Sequence, residues 1–362
     1  MTEPSRDSLP QEGQPQRSRF DPRVIALMGL FILMVLWTLR LARPLLVPIT
    51  IAMLLDFLLS PVVRLLRKLG VKEWLSALLL VFGVVGAMGV SLYMLAGPAA
   101  EWIERAPNSM REVEAKVKRL SRPIEKIQET AEAVEEVTSP PAGQNEVQIA
   151  SPSLFQRVTG GTTSLVSNAV TVIFLAYFLL ASGDLFMQKL VGVLPLFSDK
   201  KKAVGISREI EAHISRYLIT ITIINLGLGL ATWFTLGLLG MPNAALWGAM
   251  AGLLNYVPYL GALVATGAIA VAAVISFDSL GHALLMPGIY LVLNMIETNL
   301  VTPMVLGRQL PLNPVALFVG LLLWWYLWGI PGAILAVPML VAIKIFCDHI
   351  ETLNPVGAFL GS

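Results

Sequence analysis

Long apolar runs separated by short polar joints set the rhythm of this chain. The first run is Val24 to Trp37, ending at Arg40 and Arg43. Pro44 to Leu66 and Trp74 to Leu95 follow, and then a polar block from Glu101 to about Val158. Leu165 to Leu180 is apolar again, and a charged connection, 183–211, leads into Tyr217 to Leu239. Beyond "GMPN" the chain stays apolar almost to Ile345, divided by Pro258 with Gly261, Asp278 to His282, Pro287 with Gly288, Pro303, "GRQLPLNP" and "GIPG". Several runs exceed the roughly 18 residues that mark a spanning helix. The pattern predicts an all-α, polytopic membrane protein with broken or re-entrant helices.

The breakers raise a question of their own. In "LLNYVPYLGALVA" (253–265) an asparagine, a proline and a glycine interrupt an apolar stretch. Ala244 to Asn255 gives about 18 Å of helix and Gly261 to Ile275 about 22 Å, against a hydrocarbon core of about 30 Å. Backbone groups freed at such a break survive only inside protein or against a wet cavity, and in transporters they line substrate and ion sites. The competing reading is a surface turn, with Asn255 and its tyrosines in an interfacial belt. Pro314 to Ile345 is about 48 Å if continuous, and "WWYLWGIPG" (324–332) divides it. Trp324, Trp325 and Trp328 are expected to mark the membrane interface.

The polar block carries a heptad seam: Met110, Val113, Val117, Leu120, Ile124, Ile127, Ala131 and Val134. Pro123 is expected to kink it or to start a second helix. The seam can lie on its own membrane domain or join subunits. Residues 137–153 read as a loop. Gly83, Gly86 and Gly89, and the Gly248/Gly252 pair, offer close helix approach in lipid.

Composition agrees. Hydrophobic residues are 56% of 362 and charged residues 14%, too few to clothe a soluble domain. The net charge of +2 says nothing about nucleic acid, because the bases flank the apolar runs instead of forming one patch, and no nucleic-acid partner is expected. A lone cysteine, Cys347, and three scattered histidines, His213, His282 and His349, provide no metal site. The first 23 residues lack the apolar core of a signal peptide. Arg64, Arg67, Lys68 and Lys72 in one turn, and Lys189, Lys200, Lys201, Lys202 and Arg208 in the later connection, fall on one side after two crossings. The positive-inside rule makes that side cytoplasmic, with the N-terminus. The expected division is a disordered tail 1–23, membrane segments 24–97, an extracytoplasmic helical segment 98–160, a transport core 161–350 and a tail 351–362.

Three blocks, "NYVPYLGA", "ETNLVTPMVLGRQLPLNP" and "LLWWYLWGIPGAILAVP", resemble in order and spacing the autoinducer-2 exporter family, also called PerM-like permeases. The resemblance covers about residues 24–350 and is strongest over 205–345. It implies a bacterial inner-membrane protein with about eight membrane segments, assembling as a homo-oligomer. It also implies export of a small polar molecule such as autoinducer-2, or sodium(lithium)/proton antiport. Asn313 stands where a histidine often precedes Pro314, and Ala262 where many members have a second proline.

Within this frame the candidate pathway residues are Glu297, Asn294, Thr298, Asn255, Pro258, Gly261 and Asp56. Glu297 lies about 9 Å of helix from Pro303, on a polar stripe with Asn294 and Thr298. An acid placed at a helix centre costs about 2.5–3.5 kcal/mol on insertion scales, so it is protonated, paired with a cation, or in a wet cavity. Cycling between the first two states is what proton coupling requires. The bland alternative is a permanently protonated acid bonding a neighbouring helix. Asp56, about 18 Å of helix into the second run, has a coupling or a structural role; Arg216, at a helix start, either partners it or snorkels to the interface. Gly261 is expected to supply a positive φ. No nucleophile–base pair, P-loop lysine or zincin spacing occurs, so no enzyme and no cofactor are expected. A non-transporting scaffold is the other reading. The expected partners are membrane lipid, further copies of the chain, and a small-molecule or ion substrate.

Overall fold

The computed structural model describes residues 22–132, 154–183, 197–306, 312–350 and 353–361. Among them every regular element is a helix. These are α1 (Pro22–Leu41), α2 (Arg43–Lys68), α3 (Glu73–Glu132), α4 (Leu154–Ser182), α5 (Phe197–Leu238), α6 (Ala244–Leu254), α7 (Leu260–Ser276) and α8 (Leu280–Ile296). A π-helical turn, Glu297–Val301, links α8 to α9 (Thr302–Leu306). α10 (Pro314–Trp328), α11 (Ile330–Asp348) and α12 (Asn354–Leu360) complete the chain. The tail before residue 22, the loop 137–153, Val134 and the side chains of the rest of the heptad seam lie outside the described residues.

Among the described residues, five helical stretches are long and apolar enough to cross a membrane: Arg43–Lys68, Glu73–Trp102, Val204–Leu238, Leu280–Val305 and Ile330–Asp348. Five more apolar helical stretches are shorter, among them Ala244–Leu254, Leu260–Ser276 and Pro314–Trp328. The chain is thus an all-helical polytopic membrane protein. Two helices outrun the apolar pattern. α3 continues unbroken through Pro123, so the expected second helix does not form. α5 begins at Phe197 and takes up the charged connection, reaching 42 residues, or about 63 Å. The tail expected beyond residue 350 holds α12, tied back by Asn313 N–H donating to the Leu360 carbonyl at 2.9 Å. Asn313 also caps α10, its Oδ1 accepting from Val315 N–H at 2.9 Å.

Both expected breaks are present. α6, with 11 residues, spans about 16 Å and turns back at Asn255–Tyr259 into α7. The turn ends in a γ-turn: Leu260 N–H donates to the Pro258 carbonyl at 2.6 Å, with Tyr259 at φ +62°. This backbone shape is rare and strained for a residue with a side chain. α10 turns into α11 at Gly329, φ +69°. The two hairpins share a device. A Cβ on Gly261 would collide with the Leu254 carbonyl oxygen, and one on Gly332 with that of Trp324. Gly261 is therefore demanded by close approach to backbone. The positive φ that the sequence assigned to it falls on Tyr259 instead.

α6 and α7 pack with α8 through Trp247, Ala251, Ala265, Ile269, Ala272, Met286 and Tyr290. The second hairpin packs on α1 and α2, and Val257 from the first turn joins that cluster. There the expectation for the tryptophans is corrected. Trp324 and Trp328 are buried, and Trp328 Nε1–H donates to the Leu39 carbonyl at 3.1 Å. They are core residues, because α1 and α2 cover the face that a lone span would show to the interface; Trp325 and Tyr326 stay exposed. α11 is the central post, with 56% of its apolar window buried against 17–28% for the other long spans. At one end of the bundle Arg64 pairs with Glu211 and Arg67 with Glu73, and Gly183 approaches the Glu73 carboxylate. The α2–α3 turn thus lies at the level of Glu211 on α5.

Candidate functional site

The site begins with how closely α5 and α6 approach. A Cβ on Gly252 would lie 2.8 Å from the Asn225 carbonyl oxygen, and one on Gly229 2.9 Å from that of Gly248. Glycine on both helices lets the backbones meet, the usual means of association in lipid. That contact carries Asn225, in the apolar middle of α5, up to Asn255, the C-terminal cap of α6.

α8 supplies the acid. Pro303 has no N–H for the carbonyl four residues before it, and the helix widens into a π turn just upstream. Thr302 N–H donates to the Glu297 carbonyl, the i→i+5 bond of that turn. Such π bulges frequently occur at functional sites. Here the wide turn also swings the Thr302 hydroxyl onto Glu297 Oε1, to which it donates. Thr298 Oγ1 donates to Oε2 at 3.1 Å.

Asn255 joins the two halves. Its Nδ2 donates to Asn225 Oδ1 at 2.9 Å and to Glu297 Oε2 at 3.4 Å. Its Oδ1 accepts from Asn294 Nδ2 at 3.2 Å. Nearby, Tyr256 OH donates to Thr222 Oγ1 at 2.9 Å. Glu297 is 7% exposed, and among the described residues its partners are neutral donors, with no cation in ion-pair range. Of four buried side-chain polar atoms without a partner among the described residues, two lie here: Asn225 Nδ2 and the Tyr290 hydroxyl, one turn before Asn294. Buried polar groups without a protein partner call for water or a ligand.

Four of the residues expected at the site, Glu297, Asn294, Thr298 and Asn255, meet in this network. Pro258 and Gly261 shape the turn that presents Asn255 without touching the acid. Asp56 stands apart. Its hydrogen bond comes from Ser60 at 3.4 Å, and its charged neighbours are Glu211 and Arg64; Arg216 is not its partner. The sequence reading missed Asn225 and Thr302. Asn225 carried a readable signal, a single amide beside Gly227 and Gly229 in an apolar run. Thr302 carried none at α-helical spacing.

Inside a helical membrane bundle, buried Glu297 and Asn225 thus meet half-buried Asn255 and Asn294 between a broken helix and a π-bulged one, in a chain whose family is one of membrane permeases. The chain belongs to the AI-2E transporter family, whose description, AI-2E family transporter, matches residues 26–352. It is 26% identical over 333 residues to the AI-2 transport protein TqsA of Escherichia coli (strain K12), covering 90% of this chain and 92% of that protein. YhhT of the same organism, a transport protein by name, is 25% identical over 328 residues, with 88% and 89% covered. YueF of Bacillus subtilis (strain 168), also a transport protein by name, is 26% identical over 324 residues, with 84% of each covered.

Proposed function

We propose that the chain carries a small polar molecule across the membrane through the Glu297–Asn255–Asn225 network, with proton movement on Glu297 as the coupling step. The observation behind this reading is a buried carboxylate held by neutral donors alone. An ionised acid without a counter-ion is costly at membrane depth. It is affordable when protonated, or when a bound ligand or ion takes up its charge. Alternation between those states links proton release to ligand binding. The two leftover donors, Asn225 Nδ2 and Tyr290 OH, suit an acceptor-bearing ligand such as a polyhydroxylated signal. Autoinducer-2 fits that class, and the printed name of the TqsA relative supports it.

A second reading, exchange of sodium or lithium for protons, is favoured by the oxygen set of Glu297, Thr298 and Thr302, since hard cations prefer oxygen ligands. In either reading the two hairpins serve as re-entrant gates within a transport core over 161–350. The N-terminus is cytoplasmic in a bacterial inner membrane, 98–160 is an extracytoplasmic segment, and the chain assembles with copies of itself.

Glu297→Gln tests the coupling. It keeps shape and hydrogen bonding and cannot release a proton. In proteoliposomes loaded with autoinducer-2, and in parallel with sodium or lithium, a folded variant is expected to lose proton-linked flux. Wild-type flux across the pH range would make Glu297 structural.

A further inference from the structure

Away from this network, a cavity of about 350 Å³ opens at the joint of α1 and α2, lined by Trp37, Arg40, Leu41, Arg43 and Pro44. Among the described residues its two guanidinium groups have no acid partner, and that of Arg40 is held in place. Arg40 stacks over the Tyr326 ring, 4.6 Å from the centroid, and donates from Nη1 to the Tyr326 hydroxyl at 2.6 Å. Arg43 reaches the tip of the second hairpin, where a Cβ on Gly329 would lie 3.5 Å from its Nη2. Among the described residues neither has a carboxylate in ion-pair range.

The other end of α2 differs. Arg64 and Arg67 are both paired with acids, Glu211 and Glu73. One crossing separates the two ends, so the acid-free arginines lie on the face opposite the basic loops, where the positive-inside rule gives no reason for them. Snorkelling explains charges at helix ends. It does not explain a guanidinium fixed by stacking and hydrogen bonding at the mouth of a cavity. Its apolar lining is exposed: Trp37 and Leu41 are each 66% exposed, on a helix that runs through the membrane domain.

We propose that this cavity holds the phosphate headgroup of an anionic phospholipid. Arg40 and Arg43 supply the planar donor forks that suit phosphate oxygens. Trp37 and Tyr326 sit at the level where amphipathic rings anchor, and the acyl chains follow the exposed face of α1. The chemistry is that of the basic pockets that bind headgroups between membrane helices at the cytoplasmic side, here placed at the opposite face. The apolar rim favours a lipid over a soluble anion. A bound headgroup bridges α1–α2 to the Gly329 turn, and so to the cluster that includes Val257 of the first hairpin.

The test is native mass spectrometry of the full-length protein in mild detergent, with equal phosphatidylglycerol and phosphatidylethanolamine. The wild type is expected to retain phosphatidylglycerol preferentially. Each of Arg40→Gln and Arg43→Gln should reduce that preference about fivefold, the scale of one basic residue at an anionic surface. Arg64→Gln, at the acid-paired end, should leave it unchanged. Equal retention of the two lipids by the wild type, which needs no variant to fold, overturns the proposal. So does an undiminished preference in the Arg40→Gln/Arg43→Gln pair. Inorganic phosphate that displaces phosphatidylglycerol at comparable concentration would make this a soluble-anion site, and the lipid assignment would fail.

Discussion

Asn255 makes three hydrogen bonds on three sides, to Asn225, Asn294 and Glu297. Asn255→Leu would leave an amide on α5 and another on α8 without this partner and remove one donor from the acid. An orphaned buried polar group costs about 1–3 kcal/mol, whereas hydrogen bonds between membrane helices average about 0.6 kcal/mol. The expected loss is therefore about 1–3 kcal/mol in all, read as a lower thermal unfolding midpoint, with transport reduced more than stability. Unchanged flux would remove Asn255 from the pathway. Much of this site was legible, because an acid and amides in lipid are conspicuous wherever they fall. Asn294, Glu297 and Thr298 share a stripe by ordinary α-helical arithmetic. Thr302 was not legible: its contact depends on the π turn, which changes the residue spacing by which a stripe is counted. Asn225 was legible only as one amide among apolar neighbours. Its partner stands 30 residues away, and only the Gly229–Gly252 contact brings the two together.

At the scale of elements, the hairpins turn on a glycine seated against a carbonyl. Gly261→Ala would drive a methyl group into the Leu254 carbonyl oxygen. The turn would have to open, moving Asn255 relative to Glu297. Overpacking of this kind costs about 1–3 kcal/mol. Gly83→Ala, with nothing within 4 Å of its added Cβ, is the control. Differential scanning should show a lower midpoint for Gly261→Ala and no fall for Gly83→Ala, and flux should fall only in the former. Equal midpoints would mean that the turn relaxes freely. Both breaks could be seen in the sequence, since Pro and Gly in a short apolar run leave few other options. What the breaks pack against could not. The tryptophans before Gly329 look interfacial in isolation, and only the covering of α10 and α11 by α1 and α2 makes Trp324 and Trp328 core residues.

For the whole molecule, the basic C-terminal end of α2 is joined to Glu73 at the start of α3 and to Glu211 of α5 by the ion pairs Arg67–Glu73 and Arg64–Glu211. This sets the α2–α3 turn beside the charged part of α5, while the absolute direction rests on the excess of lysine and arginine there. α3 provides a ruler for that direction. Lys72 precedes its first turn and Glu101 closes its apolar part, and both side chains are exposed. At helical rise they stand about 43 Å apart, more than the hydrocarbon core, so one residue of the pair lies at each surface. Cys347 is buried in α11 and can be replaced by Ala to clear the background. Lys72→Cys and Glu101→Cys are then treated in intact cells with a membrane-impermeant maleimide. Glu101→Cys is expected to label at once, and Lys72→Cys only after the membrane is opened. The reverse pattern would invert the protein, placing the N-terminus outside and 98–160 in the cytoplasm. Labelling of both in intact cells would mean that α3 does not cross, and the paired basic loops would then say nothing about side.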